Sequence, residues 1–330
     1  DIIGNCHNGH LIDPLDREAM AATLLGTLAD KKAWKGFADA GIKGVRRHYS
    51  WQAHAEKYLD VIRPVIEQTE PLQRMTLPRR PGHYRDRALF TDLDQNLLGD
   101  RQSLEAFLQL MRRHQRQVSF GIATGRRIDS ALSVLRQYRI PQPDVLITGL
   151  GTEIHYAPNL TRDRAWARHI DHLWSPGAVR EILDELPGLK RQEKVHQGTF
   201  KISYYIDPAI SPDIQAIKQY LLQHDQTVNV FFSFGQFLDI IPVRASKGLA
   251  LRWCAEQLGI PLENILAAGG SGADEDMMRG NTMAVVVANR HNEELSVGDI
   301  ERIYFAQQGY AAGIIEAIDH YGFFDTGKEA

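Results

Sequence analysis

The chain has 330 residues, too many for one ordinary hydrophobic core, and its 43% hydrophobic and 24% charged residues describe a soluble globular protein of two or three units. A formal net charge of −3, with one short basic stretch from Arg79-Arg80 to Arg87, argues against a nucleic acid partner. No apolar run approaches membrane-spanning length, no signal peptide is recognisable, and the two cysteines, Cys6 and Cys254, lie far apart, so a reducing, cytoplasmic setting with no membrane partner is expected.

Residues 1–65 read as a short strand followed by three helices. His10-Leu11-Ile12 follows an Asn8-Gly9 turn and has strand character. Asp13-Pro14-Leu15-Asp16 opens the first helix with Asp16 as N-cap, and Met20, Leu24 and Leu28 recur every four residues as one apolar stripe. Trp34, Phe37 and Ala38 mark a second helix, and a third starts at Ser50 and carries Trp51, Tyr58, Val61 and Ile62. So few elements cannot close a good core, so this segment is expected to expose an apolar face. The start at Asp1 without a methionine suggests a piece of a longer chain. Residues 66–86, broken by Pro71, Pro78, Pro81 and Gly82, read as an interdomain linker.

From residue 87 strands and helices alternate. Strands are expected at 88–91, 118–123 and 145–147, with helices at 103–113 and 128–138, the pattern of a parallel sheet with right-handed crossovers. Residues 155–240 interrupt the rhythm. Strand patterns at 200–206, 228–232 and 237–241 with a helix at 213–223 suggest a small α+β insertion whose helices cover one face of an antiparallel sheet. The parallel pattern resumes with a helix at 247–258 and strands at 265–268 and 283–287.

Asp92-Leu93-Asp94 stands where a hydrophobic strand ends, and open α/β sheets bind ligands beyond the carboxyl ends of their strands. One of two such carboxylates can attack phosphorus while the other handles the leaving-group proton, with Mg²⁺ screening the repulsion. By itself the pair reads first as a solvated acidic turn, and another functional reading is the metal motif of a sugar-nucleotide transferase. Ala123-Thr124-Gly125-Arg126 follows the second strand and offers a hydroxyl and free N–H groups at a helix start, suited to phosphate or simply to capping. Lys247 opens a helix after Ser246; it is either a surface lysine or the cation that orients an aspartate and neutralises phosphate. Gly269-Gly270-Ser271-Gly272-Ala273-Asp274 follows a later strand as a capped turn or as the support of a metal through Asp274.

Four such segments in this order resemble the motif pattern of the haloacid dehalogenase superfamily, and the stretch between the second and third resembles its cap domain. Within that superfamily the chain is similar to sucrose-phosphate phosphatases. The likeness is carried by Gly151-Thr152-Glu153-Ile154, Lys201-Ile202-Ser203, Leu238-Asp239-Ile240-Ile241-Pro242, Ala245-Ser246-Lys247-Gly248 and Ala311-Ala312-Gly313-Ile314-Ile315-Glu316-Ala317-Ile318, over nearly all of 87–322. The resemblance implies an α/β fold with a parallel Rossmann-like core formed by 87–154 and 241–330 and a small α+β cap at 155–240. It implies Asp92 as nucleophile, Asp94 as general acid/base, and Thr124 and Lys247 as phosphate-holding catalytic residues. Gly125, Arg126, Glu153, Lys201 and Ser203 would join Thr124 and Lys247 in binding the substrate, sucrose 6-phosphate. Asp92, Asp94 and Asp274 would hold Mg²⁺.

The first segment has a resemblance of its own. Asp1-Ile2-Ile3-Gly4-Asn5-Cys6, Asn8-Gly9, Asp13-Pro14-Leu15-Asp16 and His48-Tyr49-Ser50-Trp51 are similar to the end of the glycosyltransferase domain of sucrose-phosphate synthases, which would make residues 1–65 its C-terminal remnant. The residues that grip UDP-glucose in that family precede the position matching Asp1, so synthase activity is not expected of this chain alone.

Two positions depart from the phosphatase pattern. Gly270 stands where a metal-binding aspartate is usual, and Asn96 where Thr or Val is usual. Losing a carboxylate weakens a hard-cation site, with Asp274 or Asp276 as water-mediated substitutes. Two functions are therefore in view: a Mg²⁺-dependent phosphatase, or a domain of impaired catalysis that binds a sugar phosphate or regulates an attached transferase.

Overall fold

The computed structural model describes residues 2–68, 85–233, 235–290 and 302–324. The chain divides into two compact units, 1–76 and 77–330. The first unit is helical: α1 (Ile2–Cys6), α2 (Arg17–Ala29), α3 (Lys31–His48) and α4 (Trp51–Gln68). Its helix starts follow the expected caps. Asp16 accepts from the Ala19 N–H at 2.9 Å, and the Ser50 hydroxyl accepts from the Ala53 N–H at 3.1 Å. The strand expected at 10–12 is not formed; these residues belong to the connection between α1 and α2. An isolated three-residue strand has no ladder for its backbone groups, and the described residues of this unit contain no other strand. Met20, Leu24 and Leu28 lie exposed, as do Trp34 and Trp51. Most of the segment expected as a linker, 69–84, lies outside the described residues.

The second unit begins with β1 (Arg87–Thr91), α5 (Arg101–His114), β2 (Val118–Ala123), α6 (Ile128–Gln137) and β3 (Val145–Thr148). Two short strands, β4 (Glu153–Tyr156) and β5 (Thr161–Arg162), and helix α7 (Arg164–Ile170) follow. Next come α8 (Pro176–Asp184), β6 (Leu189–Arg191), β7 (Ile202–Ile206), α9 (Ile214–Gln223), β8 (Val228–Ser233) and β9 (Phe237–Pro242). The chain ends with α10 (Lys247–Leu258), β10 (Ile265–Gly269), α11 (Glu275–Met278), β11 (Met283–Val286), β12 (Ile303–Phe305) and α12 (Tyr310–His320).

The larger sheet has the order β12-β11-β10-β1-β2-β3-β4-β5, parallel from β12 to β3 and antiparallel where β4 and β5 extend it. Both faces are covered, and β1 shows it residue by residue. Leu89 packs with Phe107, Leu108, Ile314 and Ile318 from α5 and α12, while Ala88 and Phe90 pack with Ala250, Leu251 and Cys254 from α10. Strand order reverses at β1, with β2 on one side and β10 on the other, so a crevice opens beyond its carboxyl end.

The smaller sheet, order β6-β7-β9-β8, is antiparallel. Ile202 and Tyr204 of β7, with Leu238 and Ile240 of β9, bury one of its faces under Val179 and Leu183 of α8 and Ile217 and Leu221 of α9. Alternation sends Ser203, Tyr205, Phe237 and Asp239 to the other face, where Ser203 is paired across the ladder with Asp239 and Tyr205 with Phe237. No helix among the described residues is long and apolar enough to cross a membrane.

Candidate active site

A cleft of about 780 Å³ lies over the carboxyl ends of the parallel strands, walled on one side by the smaller sheet. Asp92 follows β1 directly. The backbone then turns sharply: Gln95 has φ 55° and the Leu98 N–H returns to the Leu93 carbonyl at 2.9 Å. This turn sends Leu93 into the core and both flanking carboxylates, Asp92 and Asp94, to the cleft. Asn96 fixes its base by donating to Thr91 Oγ1 at 2.8 Å and to the Ala268 carbonyl at 3.1 Å.

Lys247 is the first residue of α10, whose start is capped by the Ser246 hydroxyl accepting from the Leu249 N–H at 2.9 Å. Its ammonium lies between two carboxylates, 2.8 Å from Asp92 Oδ1 and 2.7 Å from Asp274 Oδ1. All three side chains are buried. The other oxygen of Asp274 accepts from the N–H groups of Gly270 and Ser271 at 3.0 Å each and from the Ser271 hydroxyl at 2.8 Å. Burial pushes Asp92 up to about 7, against the pull of Lys247, with the charge of Asp274 adding to the rise. Burial also acts to lower Lys247, but the Asp274 and Asp92 carboxylates more than reverse it and hold the amine above its usual range.

Asp94 and Arg126 form the second charged group. The guanidinium donates from Nε to Asp94 Oδ2 at 2.7 Å and from Nη2 to Oδ1 at 2.8 Å, and from Nη1 to Ser130 at 2.9 Å. The hydrogen bonds it donates to Asp94 raise the arginine above its ordinary range. Both side chains are about a third exposed, at 36%.

Not every expected residue meets the cleft. Thr124 is buried beneath it, and its hydroxyl oxygen accepts from the Arg126 N–H at 3.2 Å. Glu153 does not line it; it is 3.2 Å from Arg162 and accepts from Thr148 at 3.3 Å along the antiparallel edge. Ser203 is buried on the same sheet face, donates its hydroxyl to Asp239 and does not line the cleft. Gly125, Arg126 and Lys201 do line it. Lys201 is 3.2 Å from Asp239 Oδ1 and 3.4 Å from the Gly125 carbonyl, and Arg127 donates to the Val195 carbonyl at 2.8 Å, so the two walls touch across the cleft. Ser130, Gln192, His196, Tyr205 and Asp239 also line it and carried no role in the sequence reading. The alternation of β7 and β9 was the signal for Tyr205 and Asp239.

Gly151 is a point of close approach: its φ is +93°, and a Cβ there would stand 2.1 Å from the Ser246 carbonyl oxygen. Only glycine lets the end of β3 sit against the residue that presents Lys247.

A Mg²⁺ ion needs an octahedral shell of oxygens. Gly270 offers none from a side chain, both oxygens of Asp274 are engaged, both oxygens of Asp94 face Arg126, and Asp92, with Oδ1 held by Lys247, brings only Oδ2, one carboxylate oxygen from the three expected ligands. Asp276 accepts from Ser246 and lies 3.5 Å from Arg252, so it is no substitute. No three His, Cys, Asp or Glu side chains among the described residues are grouped for a metal. The donor set in this arrangement does not fit the ion.

A Rossmann-like parallel sheet, an inserted antiparallel cap and an Asp-x-Asp turn facing a buried lysine define a haloacid dehalogenase-type, phosphatase-like domain. Comparison with known proteins agrees. The chain belongs to the sucrose-6F-phosphate phosphohydrolase family, whose profile matches residues 85–322. The sucrose-phosphatase of Synechocystis sp., solved with sucrose and phosphate, is similar at a TM-score of 0.70 and 30% identity, over 73% of this chain and 100% of that one. The mannosylfructose-phosphate phosphatase of Agrobacterium fabrum is 29% identical over 72% of this chain and 97% of its own length. Probable sucrose-phosphatase 2 of Arabidopsis thaliana is 28% identical over 76% of this chain and 61% of its own length.

Proposed function

We propose that the cleft receives a sugar phosphate, with sucrose 6-phosphate the first candidate, and hydrolyses it through a phosphoaspartate on Asp92. The observation that carries this reading is the Asp92 carboxylate at the end of β1, 2.8 Å from a buried lysine and open to the cleft. An Asp92 oxygen attacks phosphorus and the bond from phosphorus to the sugar oxygen breaks. Asp94, freed from Arg126, supplies the proton to that oxygen. Water then attacks the acyl phosphate, gives its proton to Asp94, and releases inorganic phosphate. Lys247 orients Asp92, and Gly125 and Arg126 border the phosphate, while Lys201 of the cap faces the sugar. The Mg²⁺ that family likeness implies enters no step, because the donor set does not fit it.

A second reading is favoured by Gly270 and by the closed Asp94–Arg126 pair: the domain binds the sugar phosphate without turning it over and regulates or stabilises an attached transferase. Under either reading, residues 1–65 are proposed to be the remnant of a glycosyltransferase domain of a sucrose-phosphate synthase, 66–86 its linker, and 155–240 the cap. The exposed apolar side chains of α2 and α4 support this.

The test is phosphate release from sucrose 6-phosphate by the full chain and by Asp92→Asn, with mannosylfructose phosphate as a competing substrate. Turnover that disappears in the variant is expected of the hydrolase. Binding without turnover in both proteins would leave the second reading standing, and turnover that survives Asp92→Asn would end the phosphoaspartate mechanism.

A further inference from the structure

We propose that this chain holds the phosphoryl group without a divalent cation, the positive charge coming from Arg126 and Lys247. The proposal rests on the reading of the cleft as a phosphate site. It starts from the mismatch between the donors and the ion. Gly270 removes one carboxylate, and the neighbouring backbone is put to another use: the Gly270 and Ser271 N–H groups and the Ser271 hydroxyl bind Asp274. Asp274 is thereby turned toward Lys247, at 2.7 Å. The carboxylate that would steady a metal steadies an ammonium instead.

Arg126 supplies the other charge in a form suited to phosphate. A guanidinium has five N–H donors in a planar fork that matches phosphate oxygens in pairs. Three are engaged, two by Asp94 and one by Ser130, and the remaining two belong to Nη1 and Nη2 on a side chain that borders the cleft. Asp94 thus holds the fork in place, and a phosphate meets a preset donor pair rather than a mobile arginine. Lys247 lines the same cleft as Arg126, so both cations border the volume into which a phosphoryl group would fit.

The metal site is also within reach of one substitution. A Cβ at position 270 would lie 3.1 Å from Val287 Cγ2 and 3.6 Å from Arg290 Cα, close enough to require a small shift of Val287.

The experiment is calorimetric titration of the full chain with inorganic phosphate, in EDTA and in excess Mg²⁺. The expected result is an affinity equal in the two conditions to within about twofold. Arg126→Gln should weaken it by about tenfold or more in both. Gly270→Asp, checked for folding by its thermal melt, should bind Mg²⁺ titrated alone where the parent chain does not, and its phosphate affinity should rise with Mg²⁺. Phosphate binding by the parent chain only in Mg²⁺ would overturn the proposal while keeping the cleft as a phosphate site. No binding in either condition would overturn both. Undiminished binding by Arg126→Gln would also overturn it. The parent chain alone supplies the main comparison, so an unfolded variant does not decide the matter.

Discussion

Two groups of charge share the cleft and differ in depth. Lys247, Asp92 and Asp274 are buried, at 3%, 10% and 0% side-chain exposure, while Arg126 and Asp94 stand at 36%. The buried group has little water to fall back on, so each member depends on the others. The shallow pair is screened and can exchange partners at small cost. The deep group therefore sets the geometry of the phosphoryl end, and the shallow pair is the part that can open for the proton transfer once the phosphate is bound.

The harshest way to break this contrast is Lys247→Met. It leaves two buried carboxylates 2.8 and 2.7 Å from the position of a lost ammonium. We expect the folding free energy of residues 77–330 to fall by about 3–5 kcal/mol, read from denaturant unfolding. A loss below about 1 kcal/mol, the value typical of exposed pairs, would place the lysine in a solvated site.

Asp92→Asn sharpens the contrast through pH. The folded state holds the Asp92 proton up to about pH 7, whereas an aspartate in the unfolded chain loses it near 3.8. Between those values the folded state binds the extra proton, so this group's contribution to stability falls as pH rises and is lowest above 7. The variant removes that slope. Its stability relative to the parent chain should therefore rise by about 1–3 kcal/mol between pH 4 and pH 8, over a constant cost from the lost partner of Lys247. A difference independent of pH would mean that Asp92 is ionised throughout.

How far the sequence reaches follows the same division between near and far. The strands at 88–91, 118–123 and 145–147 announce themselves as short apolar runs, and β1, β2 and β3 occupy them with shifts of a residue or so. Asp92, Lys247 and Asp274 can be expected to meet because each follows a strand end or opens a helix in a parallel sheet. The Asp94–Arg126 pair could not be read this way, since it depends on the turn at Gln95 and on a rotamer choice across 32 residues of separation. β4, β5 and β12 are too short to carry a period of their own and take their place from the strands beside them. Thr124 and Ser203 have side chains suited to a ligand, but Thr124 is buried with its oxygen accepting the Arg126 N–H, and Ser203 gives its hydroxyl proton to Asp239. At residues 10–12 the local pattern suggested a strand, and no other strand among the described residues of that unit completes it.

The mildest test falls on the shallow pair. Arg126→Gln removes two hydrogen bonds to Asp94 and one to Ser130, yet Asp94 can regain water at its exposed edge. Stability should change by less than about 1 kcal/mol in a thermal or denaturant melt. The same substitution weakens phosphate binding if the fork is a ligand-holding device, so stability and affinity should separate. With Lys247→Met the two should fall together, because the ammonium both supports the fold and faces the ligand. If Arg126→Gln also cost several kcal/mol, the pair would be a structural tie like the deep group, and the cleft would have no easily opened side.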